Sequence, residues 1–261
     1  EALDHLAPNE DLAVSKLLER AFRRRGIGYK LGSKVADVSQ GDQNVTVTLE
    51  SGETLTGDLL LVAVGRGPNT AGVGFNQLNI EIDRGFVMTD PRCETRVPKV
   101  WAVGDIVPGL QLAHRGFAQG IAVAERIAGL NAPPLIESGI PRVTYCEPEI
   151  ASVGLTEAAA KAEHGEDAIE TVEYNLAGNG KSQVLATQGF VKLVRLAGGP
   201  VLGMHMIGTR IGELVGEAQL IVNWEAYPDD VAELIHAHPT QDEAIGEAFL
   251  ALAGKPLHAH A

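Results

Sequence analysis

Cysteine is almost missing from this chain: its 261 residues include two, Cys93 and Cys146. They are too few and too far apart for a disulfide framework. Both read as inert small hydrophobes in a reducing, cytoplasmic compartment. Basic residues are outnumbered, 21 Lys and Arg against 34 Asp and Glu, giving a formal net charge of −13, which disfavours a nucleic-acid or anionic-membrane partner. The longest apolar run, Leu59 to Val64, is the size of a strand and falls well short of a membrane span. The chain does not open with a signal-peptide pattern. A close cysteine pair, a Gly-x-Gly-x-x-Gly fingerprint and a P-loop are also lacking. Gly72-Val73-Gly74 is followed by Gln77 where the third glycine belongs, and Gly178-Asn179-Gly180-Lys181 has the wrong spacing. His258 and His260, in the tail, do not make a metal site.

What is present suits a soluble globular protein with a sizeable core and two or three domains. Hydrophobic residues make up 45% and mean hydropathy is close to zero. Asn9 is placed to cap a helix with Glu10 and Asp11 in its first turn, where the dipole favours acids. Val14, Leu17, Leu18, Ala21 and Phe22 share one face of it. Arg23-Arg24-Arg25 would close its last turn before Gly26, so the run reads as a charged helix end. Strands are expected at Ile27–Leu31, Val45–Leu49 and Asp58–Val64, the last covered on both faces. Gly65-Arg66-Gly67-Pro68-Asn69 marks a boundary. A second unit carries a strand, Val100 to Val103, ending at Gly104-Asp105, and a helix from about Leu112 to Ala128. After the linker Asn131-Ala132-Pro133-Pro134, strands are expected at Ala151–Gly154, Gly189–Leu196 and Val201–Ile207. Helices are then expected at Gly212–Trp224, Pro228–Leu234 and Pro239–Ala253, an α+β layer.

The string His236-Ala237-His238-Pro239-Thr240-Gln241-Asp242-Glu243 carries the most chemistry. Pro239 suits a first helical position, which would put Glu243 about one turn beyond His238. A carboxylate there can hold one imidazole nitrogen and leave the other to accept a proton. The same residues also fit a capping histidine beside a solvated glutamate. His236, two residues earlier, reads as structural.

Taken in order, Val97-Pro98-Lys99-Val100-Trp101-Ala102-Val103-Gly104-Asp105, Gln111-Leu112-Ala113-His114 and His238-Pro239-Thr240-x-x-Glu243 resemble the second half of the flavoprotein disulfide reductases. Within them the strings are most similar to the dihydrolipoamide dehydrogenase family, the E3 component of 2-oxo acid dehydrogenase complexes. The resemblance runs from Glu1 to the C-terminus. It implies a mixed α/β and α+β fold: part of a Rossmann-type NAD domain at 1–68, a returning segment of the FAD domain at 69–138, and an α+β interface domain for a homodimer at 139–261.

It further implies FAD and NAD as cofactors and a lipoyl domain as partner. His238 would be the base and Glu243 its orienting group, reaching across the two-fold axis into the partner subunit's site. Asp105 would bind the flavin ribityl chain, and Gln111, Leu112, Ala113 and His114 would meet the flavin edge from a helix start. Glu1 would hold the adenosine ribose and select NAD over NADP, Val35 would pack on adenine, and Gly65 would admit the nicotinamide half. Gln241 and Asp242 depart from the apolar residue and serine common before the glutamate, and Gln119 from a common acid. The family's Cys-x4-Cys pair and flavin pyrophosphate site would lie upstream of Glu1, making this chain a fragment inactive on its own. A glutathione or mycothione type of reductase, or a non-catalytic dimerisation module, are the alternative readings.

Overall fold

The computed structural model describes residues 1–258; His260 lies outside them. By packing, the chain divides into Glu1–Leu60 with Pro141–Ala261 as one unit and Leu61–Ile140 as another.

The first unit opens with helix α1, Leu12–Arg24. Its cap is Asp11, not Asn9, with the Asp11 carboxylate accepting the Ala13 N–H at 3.0 Å. Glu10 and Asp11 therefore precede the first turn. The cause is long-range: Lys192 draws Asp11 inward, Nζ to Oδ1 2.8 Å, which no local capping rule can anticipate. Arg23 and Arg24 close the helix as expected, with Arg25 at its C-cap. Strands β1 (Val35–Gln40), β2 (Val45–Leu49) and β3 (Thr54–Gly57) form an antiparallel meander in that order.

Two sequence expectations fail here. Residues 27–31 are not a strand, and the strand lies later, at Val35. Residues 58–64 form no strand either, and Leu59 is 93% exposed. A strand exists only through its ladder partner, and among the described residues nothing pairs with or covers this run.

The second unit contains the two-residue strands β4 (Ile82–Asp83) and β5 (Phe86–Val87) and helix α2 (Ala113–Ile127). Val100–Val103 is not a strand. Trp101 makes one isolated bridge to Glu94, and the chain turns at once into a 3-10 turn, Gly104–Ile106.

The first unit resumes with β6 (Arg142–Thr144), β7 (Glu149–Gly154), helix α3 (Glu157–His164), β8 (Ile169–Asn175), a short helix α4 (Gly180–Val184), β9 (Phe190–Leu196) and β10 (Val201–Gly208). Helices α5 (Val215–Asn223), α6 (Pro228–Ala232) and α7 (Glu243–Leu252) follow, each shorter than its apolar pattern suggested. The five strands form one antiparallel sheet in the order β6-β7-β10-β9-β8. Alternation sorts its two faces. On one, Ala151, Met206, Val191 and Tyr174 join the cluster that packs against Ala218, Val231, Ala244, Ile245 and Phe249 of α5–α7. On the other, Ile150, Ile207 and Phe190 meet Val14 and Leu18 of α1.

That second face also carries a polar row straight across the strands. Arg142 pairs with Ser152, Ser152 with His205, His205 with Lys192 and Lys192 with Glu173. Glu10 and Asp11 enter this row: Ser152 Oγ donates to Glu10 at 2.6 Å, and Lys192 joins Asp11 and Glu157, the latter at 2.6 Å.

Gly154 ends β7 at φ +82, and a Cβ there would strike the Leu202 carbonyl oxygen. Gly154→Ala is expected to cost about 1–3 kcal/mol from backbone conformation alone, read as a lowered urea midpoint at unchanged m-value.

Candidate active site

His238 sits in the loop between α6 and α7, after which its peptide to Pro239 is cis. Pro239 is thus not a first helical residue; a turn at Gln241 leads into α7, which begins at Glu243. The expected pair still forms. His238 Nδ1 lies 2.9 Å from Glu243 Oε1, while Glu243 Oε2 accepts the Thr240 N–H at 2.9 Å. Both oxygens are engaged, so the carboxylate has one orientation. Partial burial disfavours its charge, but the Thr240 N–H and the His238 ring outweigh this and hold Glu243 below the usual carboxylate range. The imidazole side chain is 77% exposed, leaving Nε2 open to a substrate proton. Carboxylate, oriented ring and exposed nitrogen together are what general base catalysis requires.

The loop is tied down by a second pair. His236 Nε2 meets Glu217 Oε1 on α5 at 2.9 Å. Glu217 holds that imidazole above its ordinary value against partial burial. Gly246 of α7 leaves the ring its space, since a Cβ there would come 2.6 Å from His236 Nδ1. His258 similarly rests on Glu247, Nδ1 to Oε1 2.8 Å. Among the described residues no cluster of metal-ligating side chains occurs.

In the second unit, Asp105 occupies the 3-10 turn after Ala102, with its carboxylate half-exposed and Arg66 Nε at 3.8 Å. Gln111 Nε2 donates to the Asp105 carbonyl at 3.2 Å. Leu112 is the N-cap of α2 and offers no side-chain cap; Ala113 and His114 begin the helix. Asp105 and the 111–114 string are therefore brought together. Gln119, noted in the sequence only as a departure, is the buttress: it is buried, and its Oε1 accepts the Gly104 N–H at 2.8 Å. An uncharged amide serves there because its partner is a backbone N–H; a spacing of fifteen residues gave no signal of it.

Glu1 lies against the residues that lead into β1, its carbonyl accepting the Ser33 N–H at 2.9 Å. Glu1 Oε1 takes the Leu3 N–H at 2.9 Å, and Val35 is exposed at the start of β1. Gly65 has φ +112 with open space where a Cβ would stand. Burial pushes both the Cys93 and the Cys146 thiols up, so neither is a thiolate nucleophile at neutral pH.

The profile of the family described as pyridine nucleotide-disulphide oxidoreductase matches residues 1–120, and that of its dimerisation domain matches residues 140–249. The chain belongs to this family. It is 37% identical to a dihydrolipoyl dehydrogenase of Bacillus subtilis over 99% of this chain and 56% of that protein. With the dihydrolipoyl dehydrogenase of Corynebacterium glutamicum the figures are 35%, 97% and 56%. The crystal structure of LpdA from Mycobacterium tuberculosis superposes with a TM-score of 0.88 at 27% identity, over 96% of this chain and 55% of that one. The HOCl-induced flavoprotein disulfide reductase RclA of Escherichia coli gives 0.86 at 25%, over 95% and 57%. The chain spans about half the length of the curated relatives it matches. Members of the family and its dihydrolipoyl dehydrogenases use FAD and NAD(H). Among the described residues no helix is long and apolar enough to cross a membrane.

Proposed function

We propose that the full-length protein is a cytoplasmic, FAD- and NAD-dependent dihydrolipoyl dehydrogenase, and that this chain is its C-terminal portion, inactive alone. The observation that carries the reading is the His238–Glu243 pair at 2.9 Å with Glu243 fixed by Thr240. Residues 1–68 belong to the NAD domain, 69–138 to the FAD domain and 139–261 to the interface domain. The net reaction takes a dihydrolipoyl dithiol and NAD⁺ to the lipoyl disulfide, NADH and a proton; two electrons leave the two sulfurs as the S–S bond forms.

His238 Nε2 takes the proton of the attacking thiol, because the thiolate is the nucleophile in disulfide exchange. Glu243 keeps the proton of the neutral ring on Nδ1 and stabilises the imidazolium that follows. Bound FAD supplies the two-electron relay between the enzyme disulfide and the nicotinamide. The residues present suit it. Asp105 offers a half-exposed carboxylate to ribityl hydroxyls, and the N-terminus of α2, without a side-chain cap, suits an edge that gains negative charge. Glu1 and Val35 would take the adenosine half of NAD, and Gly65 the nicotinamide half.

Ile235, beside the catalytic loop, is 99% exposed and Trp224 is largely exposed, as expected of side chains awaiting a second copy. Ile235→Glu is expected to raise the dimer dissociation constant, measured by sedimentation, and to lower activity with it if His238 works in the partner's site. The lipoyl domain is the macromolecular substrate. The likeness to RclA keeps another disulfide reductase as the rival reading. Stopped-flow flavin reduction decides: NADH is expected to react much faster than NADPH, and a clear preference for NADPH overturns the lipoyl reading.

A further inference from the structure

The dipole alone accounts for arginines at the end of α1, but here they also line a cleft. A cleft of about 580 Å³ in the first unit runs beneath the C-terminal half of α1, and Arg20, Arg24 and Arg25 all face it. This volume is within the range of small-molecule sites. Leu17, Ala21, Pro148 and Phe190 make its walls partly apolar.

The three guanidinium groups are held by neutral acceptors where they are held at all. Arg24 donates to the Gln188 side-chain amide oxygen, and Arg25 Nη1 to the Glu147 carbonyl at 2.8 Å. Among the described residues none of the three forms an ion pair, whereas Arg142 and Arg195 of the same unit are paired with Glu10 and Glu170. Two carboxylates do face the cleft. The Glu147 carboxylate accepts the Thr209 hydroxyl at 2.6 Å. Burial favours the neutral form of Glu173, opposed by Lys192 and Arg20. In a chain of net charge −13, three arginines outside any ion pair, against two carboxylates, over partly apolar walls are an arrangement that recognises an anion with an apolar body.

We infer that this cleft binds a small organic oxyanion, a phosphate monoester or a carboxylate with an apolar body, through Arg20, Arg24 and Arg25. The spacing supports it: Arg20 and Arg24 stand one helical turn apart on the same face of α1, so two planar forks can converge on one oxyanion. Asn175 holds the Ala177 N–H through Oδ1, which leaves its side-chain N–H₂ to donate into the cleft. None of the residues lining the cleft belongs to the His238–Glu243 string, and the inference does not depend on the reaction proposed for it.

The test is calorimetric titration of the full-length protein with phenyl phosphate, benzoate and inorganic phosphate. Phenyl phosphate or benzoate is expected to bind, the tighter of the two identifying the head group, and inorganic phosphate to bind more weakly for want of an apolar body. Arg20→Ala with Arg24→Ala should weaken binding about tenfold or more. Lys16→Ala, on the same helix but outside the cleft, should leave it unchanged. Ala21→Phe, which keeps every charge and fills the apolar wall, should also weaken it, and stands in if the double variant does not fold. Failure of both organic probes to bind at millimolar concentration overturns the proposal, as does binding indifferent to the arginine and Ala21 substitutions.

Discussion

His238→Gln in the full-length protein is expected to lower the rate of dihydrolipoamide oxidation by roughly 10²–10⁴-fold, the usual share of a positioned general base. Flavin content should be unchanged. Glutamine can still donate a hydrogen bond to Glu243 Oε1, so the loop keeps its anchor at Thr240, while the group that accepts the thiol proton is gone. Glu243→Gln should cost less, because the ring remains and only its orienting charge is lost. Reduction of the flavin by NADH does not need the dithiol proton and should be nearly unaffected in both variants. Stopped-flow measurement of the two half-reactions separates these outcomes. If dithiol oxidation by His238→Gln matches the parent, the base lies elsewhere and the capping reading of the pair is the right one.

Asp11→Ala is expected to be the most damaging substitution for stability. The Lys192 and Asp11 side chains are 9% and 2% exposed, and removing one partner of a buried pair typically costs about 3–5 kcal/mol. Asp11 also accepts the Ala13 N–H at the start of α1 and the Glu157 N–H at the start of α3, both at 3.0 Å, so one truncation releases two helix ends. Lys192→Met should cost less, because a long apolar side chain fills the space and Asp11 keeps both N–H donors. Guanidinium unfolding of the two variants provides the comparison; equal, small losses would mean that water replaces the lysine.

The same row sets the acid limit. Burial disfavours the Asp11 charge, but Lys192 and the two N–H groups prevail and hold its pKa below 3.8. Its contribution is therefore present above the unfolded value and lost as pH falls through the folded one. Burial lowers His205 from 6.5. The unfolded chain then binds that proton first, and stability begins to fall below the ordinary histidine range. Thermal midpoints measured down the acid range should show both steps, with the lower one missing in Asp11→Asn.

The His238–Glu243 pair was legible in the sequence because both members lie within one short string and meet through local backbone geometry. The same holds for α2, for β2, β7, β9 and β10, whose apolar alternation is strong, and for the arginine-terminated end of α1. The family profiles and the superposed structures agree with the resemblance those strings carried. What local pattern could not supply were features made by distant partners. Asp11 displaced Asn9 as a cap because Lys192, 181 positions on, requires a counter-ion inside the sheet. Residues 58–64 have every propensity for a buried strand, yet among the described residues no strand pairs with them, and strand formation needs a ladder partner. Gln119 reads as a substitution until folding sets it against the Gly104 N–H. Composition, periodicity and short motifs thus determined the strongly alternating strands, the main helices and the His238–Glu243 string of this protein. Only the tertiary structure decided which charges are paired, because ion pairing and strand pairing depend on proximity in space, to which distance along the chain is no guide.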